Sequence, residues 1–325
     1  MSSSRPLPSR AAAVRCLRQF TLRIALLLSP LAVGSACNRG ADAAAKPTVA
    51  LVLKTLNNQF FIDMEAGARA VADSLGFELI VQAPEREIDV ERQMQLVETL
   101  LQRKVQVLAL VPSGSKEIVP AVVKANGAKV PVVIVDTRVD SAALAAAGGT
   151  IATFIGSDNI DGGRMAGRFL VEQTRGTGKV VVLEGIPGHE TGDARLAGFR
   201  EALAGTPGLS IVASQTANWE RDQAFTVMQN ILQAHPDITA VFACNDVMAL
   251  GAVEAIAAAR KTGAIAVVGF DAQDEARKAI AAHTMAATIA QNPREMGRLA
   301  MLTAARLLKG ESVPAQQPVP IALVK

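Results

Sequence analysis

The chain has no tyrosine, one tryptophan and three cysteines in 325 residues, and aromatic side chains make up only 3% of it. With rings this scarce, the places where they gather carry information. Cys16 and Cys37 lie near the N-terminus, so Cys244 stands alone in the body and no disulfide can form there. Cys244 ends the apolar run Val241-Phe242-Ala243-Cys244 and is expected to be a small buried hydrophobe. A nucleophilic cysteine would need a base, and His189, His235 and His283 show no pattern that supplies one. The stretch Ile24–Ala36 is uncharged but only thirteen residues long, too short to span a bilayer comfortably.

Basic charge is also scarcer than the net +3 suggests. Residues 1–46 hold seven basic residues against Asp42 alone, giving +6; the remainder holds 26 basic and 29 acidic residues, giving −3. The body therefore has no basic stripe for nucleic acid. Nucleotide-binding signatures are missing too. The first strand-like run is followed by Lys54-Thr55-Leu56-Asn57-Asn58 and not by a glycine-rich turn, no Walker sequence occurs, and Gly176 and Gly178 precede a strand.

Residues 1–23 contain Arg5, Arg10, Arg15, Arg18 and Arg23 without an acidic residue, then come the uncharged run, Gly34-Ser35-Ala36 and Cys37. This is the layout of a secretory signal peptide over 1–36, and it predicts export. A cysteine directly after the small residues resembles a bacterial lipoprotein signal, which makes Cys37 the candidate lipidation site and 37–45 a flexible tether. Gly34 stands where such signals usually carry Leu, and ordinary cleavage near Ala43-Ala44-Ala45 is the alternative. A signal at this end leaves no place for the helix-turn-helix of a repressor.

From Thr48 onward, strand-like runs alternate with amphipathic stretches. The runs are 49–53, 78–82, 105–111, 132–136, 151–155, 180–184, 211–214, 240–244, 266–270 and 286–290. They are nearly continuous in hydrophobicity, as in strands buried on both faces. Helical patterns occupy 60–75, 90–103, 116–128, 160–174, 194–204, 221–234, 246–260, 274–282 and 294–309. The alternation predicts an α/β, doubly wound parallel architecture. Ten strands are too many for one compact sheet, so two are expected, with the break over 141–155, where two runs are separated by only a loop and a short Ala-rich turn.

In open α/β sheets, ligands bind beyond the carboxyl ends of the strands. Those positions hold Lys54 through Phe61, Asp136, a glycine-containing loop ending at Asp193 and Arg195, Asn218-Trp219-Glu220, Asn245-Asp246, Asp271 and Gln291-Asn292. Carboxylates, amides, Lys and Arg match the donor-and-acceptor character of sugar hydroxyls. The only Trp and the only Phe-Phe pair fall in the same set, and aromatic faces pack on the C–H faces of sugar rings. Bland roles compete: Asn57 and Asp246 suit helix caps, and Asp193 with Arg195 suits a surface ion pair. Asp136 and Asp271 could be imagined as a glycosidase pair, but both are better explained as hydroxyl acceptors, and an enzyme is not expected.

Leu53-Lys54-Thr55-Leu56-Asn57-Asn58-Gln59-Phe60-Phe61 resembles the opening motif of bacterial periplasmic ribose-type sugar-binding proteins. So do Gly156-Ser157-Asp158-Asn159, Ala243-Cys244-Asn245-Asp246-Val247-Met248-Ala249-Leu250-Gly251, Val268-Gly269-Phe270-Asp271 and Thr288-Ile289-Ala290-Gln291-Asn292-Pro293, in family order. Lys54, Ala146-Ala147-Gly148-Gly149, Thr191-Gly192-Asp193-Ala194-Arg195 and Glu275-Ala276-Arg277-Lys278 resemble the D-allose-binding branch more than the ribose branch. The chain departs from the pattern at Thr137, which stands where ribose binders have Arg and allose types an acidic residue. It also has Phe61 in place of Trp and Gln59 in place of Pro.

The resemblance implies a periplasmic binding protein type I fold: two Rossmann-like lobes, 46–156 plus 292–318 and 157–291 plus 319–325, joined by a three-crossover hinge. It implies that Lys54, Asn58, Phe60, Phe61, Asp136, Arg195, Trp219, Asn245, Asp271 and Gln291 face a monosaccharide. The ligand would be an aldohexose such as D-allose or a pentose such as ribose. It further implies a monomer with no cofactor or metal that delivers its ligand to the membrane permease of an ABC transporter. The alternative is a sensor that presents its ligand to a chemoreceptor or sensor kinase.

Overall fold

The structure, a computed structural model, describes residues 46–325. The expected signal peptide, Cys37 and the tether lie outside the described residues. Among the described residues no helix is long and apolar enough to cross a membrane.

Among the described residues, twelve strands form two six-stranded sheets. The first contains β1 (Thr48–Val52), β2 (Glu78–Gln82), β3 (Val107–Leu110), β4 (Val132–Val135), β5 (Thr153–Gly156) and β11 (Gln316–Pro318), in the order β11-β5-β4-β3-β1-β2. All its pairs are parallel. The second contains β6 (Gly178–Glu184), β7 (Leu209–Thr216), β8 (Ala240–Ala243), β9 (Ala266–Asp271), β10 (Ala287–Ala290) and β12 (Ala322–Val324), in the order β12-β10-β9-β8-β6-β7. Only β12 runs antiparallel to its neighbour. The chain passes between the sheets three times: after β5, after β10 and after β11.

The helices are α1 (Gln59–Leu75), α2 (Val90–Gln102), α3 (Val119–Gly127), α4 (Ser141–Ala146), α5 (Asn159–Gln173), α6 (Glu190–Leu203), α7 (Arg221–Ala234), α8 (Asp246–Ala258), α9 (Asp274–Ala281) and α10 (Pro293–Leu308). They cover both faces of the strands. Along β1, Val49 and Leu51 face one core cluster while Ala50 and Val52 face another, and β3 and β4 alternate in the same way. Side chains alternate faces with period two, so a strand covered on both sides must be apolar throughout. That is why these runs read as unbroken Val, Leu, Ala and Ile.

Several expectations change in detail. β11 and β12 were not anticipated. Each has only three residues: β11 is Gln-Gln-Pro with no apolar run, and β12 is Ala-Leu-Val, apolar but too short to stand out as a strand. The Ala-rich turn expected after Asp140 is the short helix α4, started by the Asp140 side chain accepting from the Ala143 N–H at 2.7 Å. Helix α3 begins at Val119 rather than 116, with Pro120 in its first turn. The caps also differ from those expected. Asn58, not Asn57, starts α1, and Asn245, not Asp246, starts α8.

Helices α1 and α10 pack tightly through glycine. A Cβ on Gly297 would lie 2.0 Å from the Met64 carbonyl oxygen, and one on Gly67 would lie 2.0 Å from that of Arg294. Backbone on both sides leaves no side chain to yield. Gly297→Ala is therefore expected to destabilise the fold by about 1–3 kcal/mol, the usual cost of overpacking, read as a lower denaturant midpoint at unchanged slope.

Candidate functional site

The C-terminal ends of β1, β4, β8, β9 and β10 converge with the starts of α1 and α6 and the β7–α7 loop on one cavity between the two lobes. Its lining includes all ten side chains expected from the sequence: Lys54, Asn58, Phe60, Phe61, Asp136, Arg195, Trp219, Asn245, Asp271 and Gln291. Glu87 and Thr191 complete the lining and were not singled out. Thr191 stood in plain view in the Thr191–Arg195 turn. Glu87 lies five residues past the end of β2, and the strand-end rule, applied to β2 as to the other strands, would have pointed to it.

On the first lobe, Lys54 follows β1 and Asp136 follows β4. Both are buried, with Lys54 Nζ 3.6 Å from Asp136 Oδ2. Asp136 adopts a left-handed backbone, φ 64°, and its N–H donates to Ile155 O at 2.8 Å. Thr137 lends its hydroxyl to Asp136 Oδ2 at 3.0 Å. Asn58 caps α1 by accepting from Phe60 N, and its Nδ2 donates to Glu87 Oε1 at 3.2 Å. The rings of Phe60 and Phe61 meet edge to face, centroids 5.3 Å apart.

On the second lobe, Arg195 is buried and not the surface partner of Asp193 that its neighbourhood suggested. Its Nε donates to Asn159 Oδ1 at 2.9 Å and one terminal nitrogen donates to Cys244 O at 2.7 Å. The same nitrogen lies 3.8 Å from Asp271 Oδ1, and the guanidinium sits 3.8 Å above the Phe270 ring. Asp271 Oδ1 also accepts from Gln291 Nε2 at 2.8 Å. Gln291 Oε1 is buried without a partner, which leaves an acceptor for a donor arriving in the cavity. Asn245 uses Oδ1 to cap α8 at Met248 N; its Nδ2 donates to no described residue. Trp219 packs against Gly185, where a Cβ would lie 2.0 Å from the indole, and its Nε1 donates to His189 Nδ1 at 3.3 Å.

Burial sets the electrostatics. It pushes the Asp271 carboxyl above the ordinary carboxylate range against the pull of Arg195 and the Gln291 hydrogen bond, with Asp136 and Glu87 adding to the rise. It raises neighbouring Asp246 as well, with Asp271 adding to the effect, and Glu87, where Lys54 and Asn58 oppose it. The Cys244 thiol is pushed up to about 12, chiefly by burial, so it is the inert hydrophobe expected. Among the described residues no group of three His, Cys, Asp or Glu is arranged to hold a metal ion.

Polar groups and aromatic rings from two opposed lobes, meeting in an enclosed cavity at the strand ends, define a binding protein for a small polar ligand. Comparison with known proteins places it more narrowly. Residues 49–312 match the family model described as periplasmic binding protein domain, and the chain belongs to that family. It is 38% identical over 302 residues to the ribose import binding protein RbsB of Escherichia coli K12, covering 93% of this chain and 98% of that one. It is also 38% identical over 266 residues to the D-allose-binding periplasmic protein of the same organism, covering 82% and 85%. A crystal structure of an ABC transporter periplasmic solute binding protein from Actinobacillus succinogenes 130z with bound D-allose superposes with a TM-score of 0.82. That protein is 38% identical, and the match covers 86% of this chain and 98% of that one.

His189 offers a pH test. Burial, with Lys54 nearby, lowers its pKa from 6.5 to about 3 against a hydrogen bond with the Ser113 backbone. A histidine depressed in the folded state stabilises the fold above its unfolded pKa, and that contribution is lost as pH falls below it. The His189 ring is expected to keep its neutral NMR shifts down to about pH 5, and replacing it with Gln should reduce the loss of stability on acidification.

Proposed function

We propose that this protein is the substrate-binding component of an ABC-type sugar importer, exported to the periplasm, and that it captures one monosaccharide between its lobes. The lobe boundaries fall at 156, 291 and 318, in the segments where the chain passes between sheets. The ligand is an aldohexose such as D-allose, or a pentose such as ribose. The observation that carries this reading is the composition of the cavity: each lobe contributes a cation, a carboxylate, an amide and an aromatic surface. Lys54 and Arg195 donate to hydroxyls, Asp136 and Asp271 accept from them, and Asn58, Asn245 and Gln291 supply amide contacts. Trp219 and the Phe60–Phe61 pair cover the apolar faces of the ring.

A ligand touching both lobes binds the closed arrangement better than an open one, and only that difference in affinity shifts the population. The loaded, closed protein then docks as a monomer on the permease. Cys37, lipidated, would anchor it to the membrane.

Calorimetric titration of the refolded protein with allose, ribose, xylose, glucose, galactose, fructose, psicose and myo-inositol tests the reading. One tight, one-to-one ligand recovered unaltered is expected; no binding by a folded protein overturns it. With the ligand found, Arg195→Ala should weaken binding by about 2–5 kcal/mol, because Asp271 is left buried without its cation. Trp219→Ala should cost about 2 kcal/mol or more. Unchanged affinity in both variants would remove the cavity from the mechanism.

A further inference from the structure

Asp246 is fully buried at the start of α8 and does not line the cavity. Its surroundings are unfavourable for a carboxylate: burial raises its pKa, and the charge of Asp271 adds to the rise. What it does have is the β9–α9 turn. Asp246 Oδ2 accepts from the Gln273 N–H at 2.8 Å, and Oδ1 accepts from the Thr288 hydroxyl at 2.7 Å. That hydroxyl in turn accepts from the Ala272 N–H at 3.2 Å. One carboxylate therefore holds two consecutive backbone N–H groups, one directly and one through a side chain of β10. Space for it is made in β9 by Gly269, where a Cβ would lie 2.1 Å from Asp246 Oδ1.

The turn needs holding. Asp271 and Ala272 have φ of 114° and 57°, both left-handed and neither a glycine. Such conformations cost on the order of 1–3 kcal/mol each and persist only where the surroundings impose them. The residues displayed by the turn face two ways. Asp271 enters the cavity, and the Gln273 side chain crosses to the other lobe, where Nε2 donates to Asn58 Oδ1 at 2.9 Å.

We propose that Asp246 is a positioning residue for ligand capture: it locks residues 271–273 so that the ligand acceptor Asp271 and the cross-lobe contact of Gln273 are set together. The inference rests on the sugar-binding reading for what Asp271 accepts from. It ties ligand contact to lobe closure through a single carboxylate that touches neither the ligand nor the opposite lobe.

The test compares the parent with Asp246→Asn, Gln273→Ala and the double variant, using D-allose and D-ribose as probes. Backbone amide exchange at Ala272 and Gln273 is followed without sugar. An amide at 246 has one acceptor oxygen where the carboxylate has two, so it faces a donor toward either the Gln273 N–H or the Thr288 hydroxyl. Asp246→Asn should therefore speed exchange at both amides while other helices keep their protection, and should weaken binding of whichever sugar binds by about tenfold or more. Gln273→Ala should cost about threefold in the parent and nearly nothing in Asp246→Asn, because the contact it removes is already misplaced. A merely structural role predicts simple addition of the two effects. Unchanged exchange, affinity within about twofold of the parent, or additive costs would each overturn the proposal. If Asp246→Asn does not fold, Thr288→Val, which removes only the hydroxyl relay, is expected to speed exchange at Ala272, and no change there overturns it. If the parent binds neither probe, the sugar reading is what fails, and amide exchange still decides whether Asp246 holds the turn.

Discussion

The charges in the cavity are paired within each lobe and not between lobes. Lys54 meets Asp136 on the first lobe and Arg195 meets Asp271 on the second. A buried charge without a partner is among the most expensive features a protein can carry. Had Lys54 been paired with Asp271 across the cleft, opening the lobes would strip both of their partners. With each lobe neutralising its own cavity cation, the proposed separation of the lobes would break no ion pair inside the cavity. A neutral, hydroxyl-rich ligand then finds charged groups already held in place. The direct contacts across the cleft are lighter and include Gln273 to Asn58, the Glu190 N–H to the Ser115 hydroxyl at 3.2 Å, His189 to the Ser113 backbone, and the Arg86–Glu220 and Arg138–Glu190 pairs at 3.2 and 4.0 Å. Exposed pairs of this kind contribute little, so in the proposed closure the ligand would supply most of the driving free energy.

Much of this was legible in the sequence because the strands are buried on both faces. That burial demands continuous Val, Leu, Ile and Ala, and once the strand ends are located the cavity-lining residues follow from topology. Lys54, Asp136, Asn245, Asp271 and Gln291 were found by that route and share one cavity. Two sheets were expected from the number of runs, but the break expected over 141–155 falls later: β4 and β5 pair in one sheet and the chain crosses after β5. The three passages were expected only from the family resemblance.

The remainder was not legible for physical reasons. β11 and β12 are three-residue edge strands defined by backbone pairing; β11 has no apolar pattern and β12 is too short to show one. The choice between Asn57 and Asn58, or Asn245 and Asp246, as helix cap depends on a rotation of the chain by one residue, which composition does not encode. His189 and Glu87 take their roles from contacts with Trp219 and Asn58, thirty and twenty-nine residues away. Asp246 read as a cap because Asp commonly is one; its bond to Gln273, 27 residues on, appears only in three dimensions.

The central claim, that a monosaccharide is held between lobes that close on it, is tested most directly by small-angle X-ray scattering from the purified protein with and without a saturating bound sugar. A smaller radius of gyration in the presence of sugar, returning when the sugar is dialysed away, is the predicted result. A bound sugar that leaves the scattering curve unchanged would contradict closure and would place the ligand on one lobe alone.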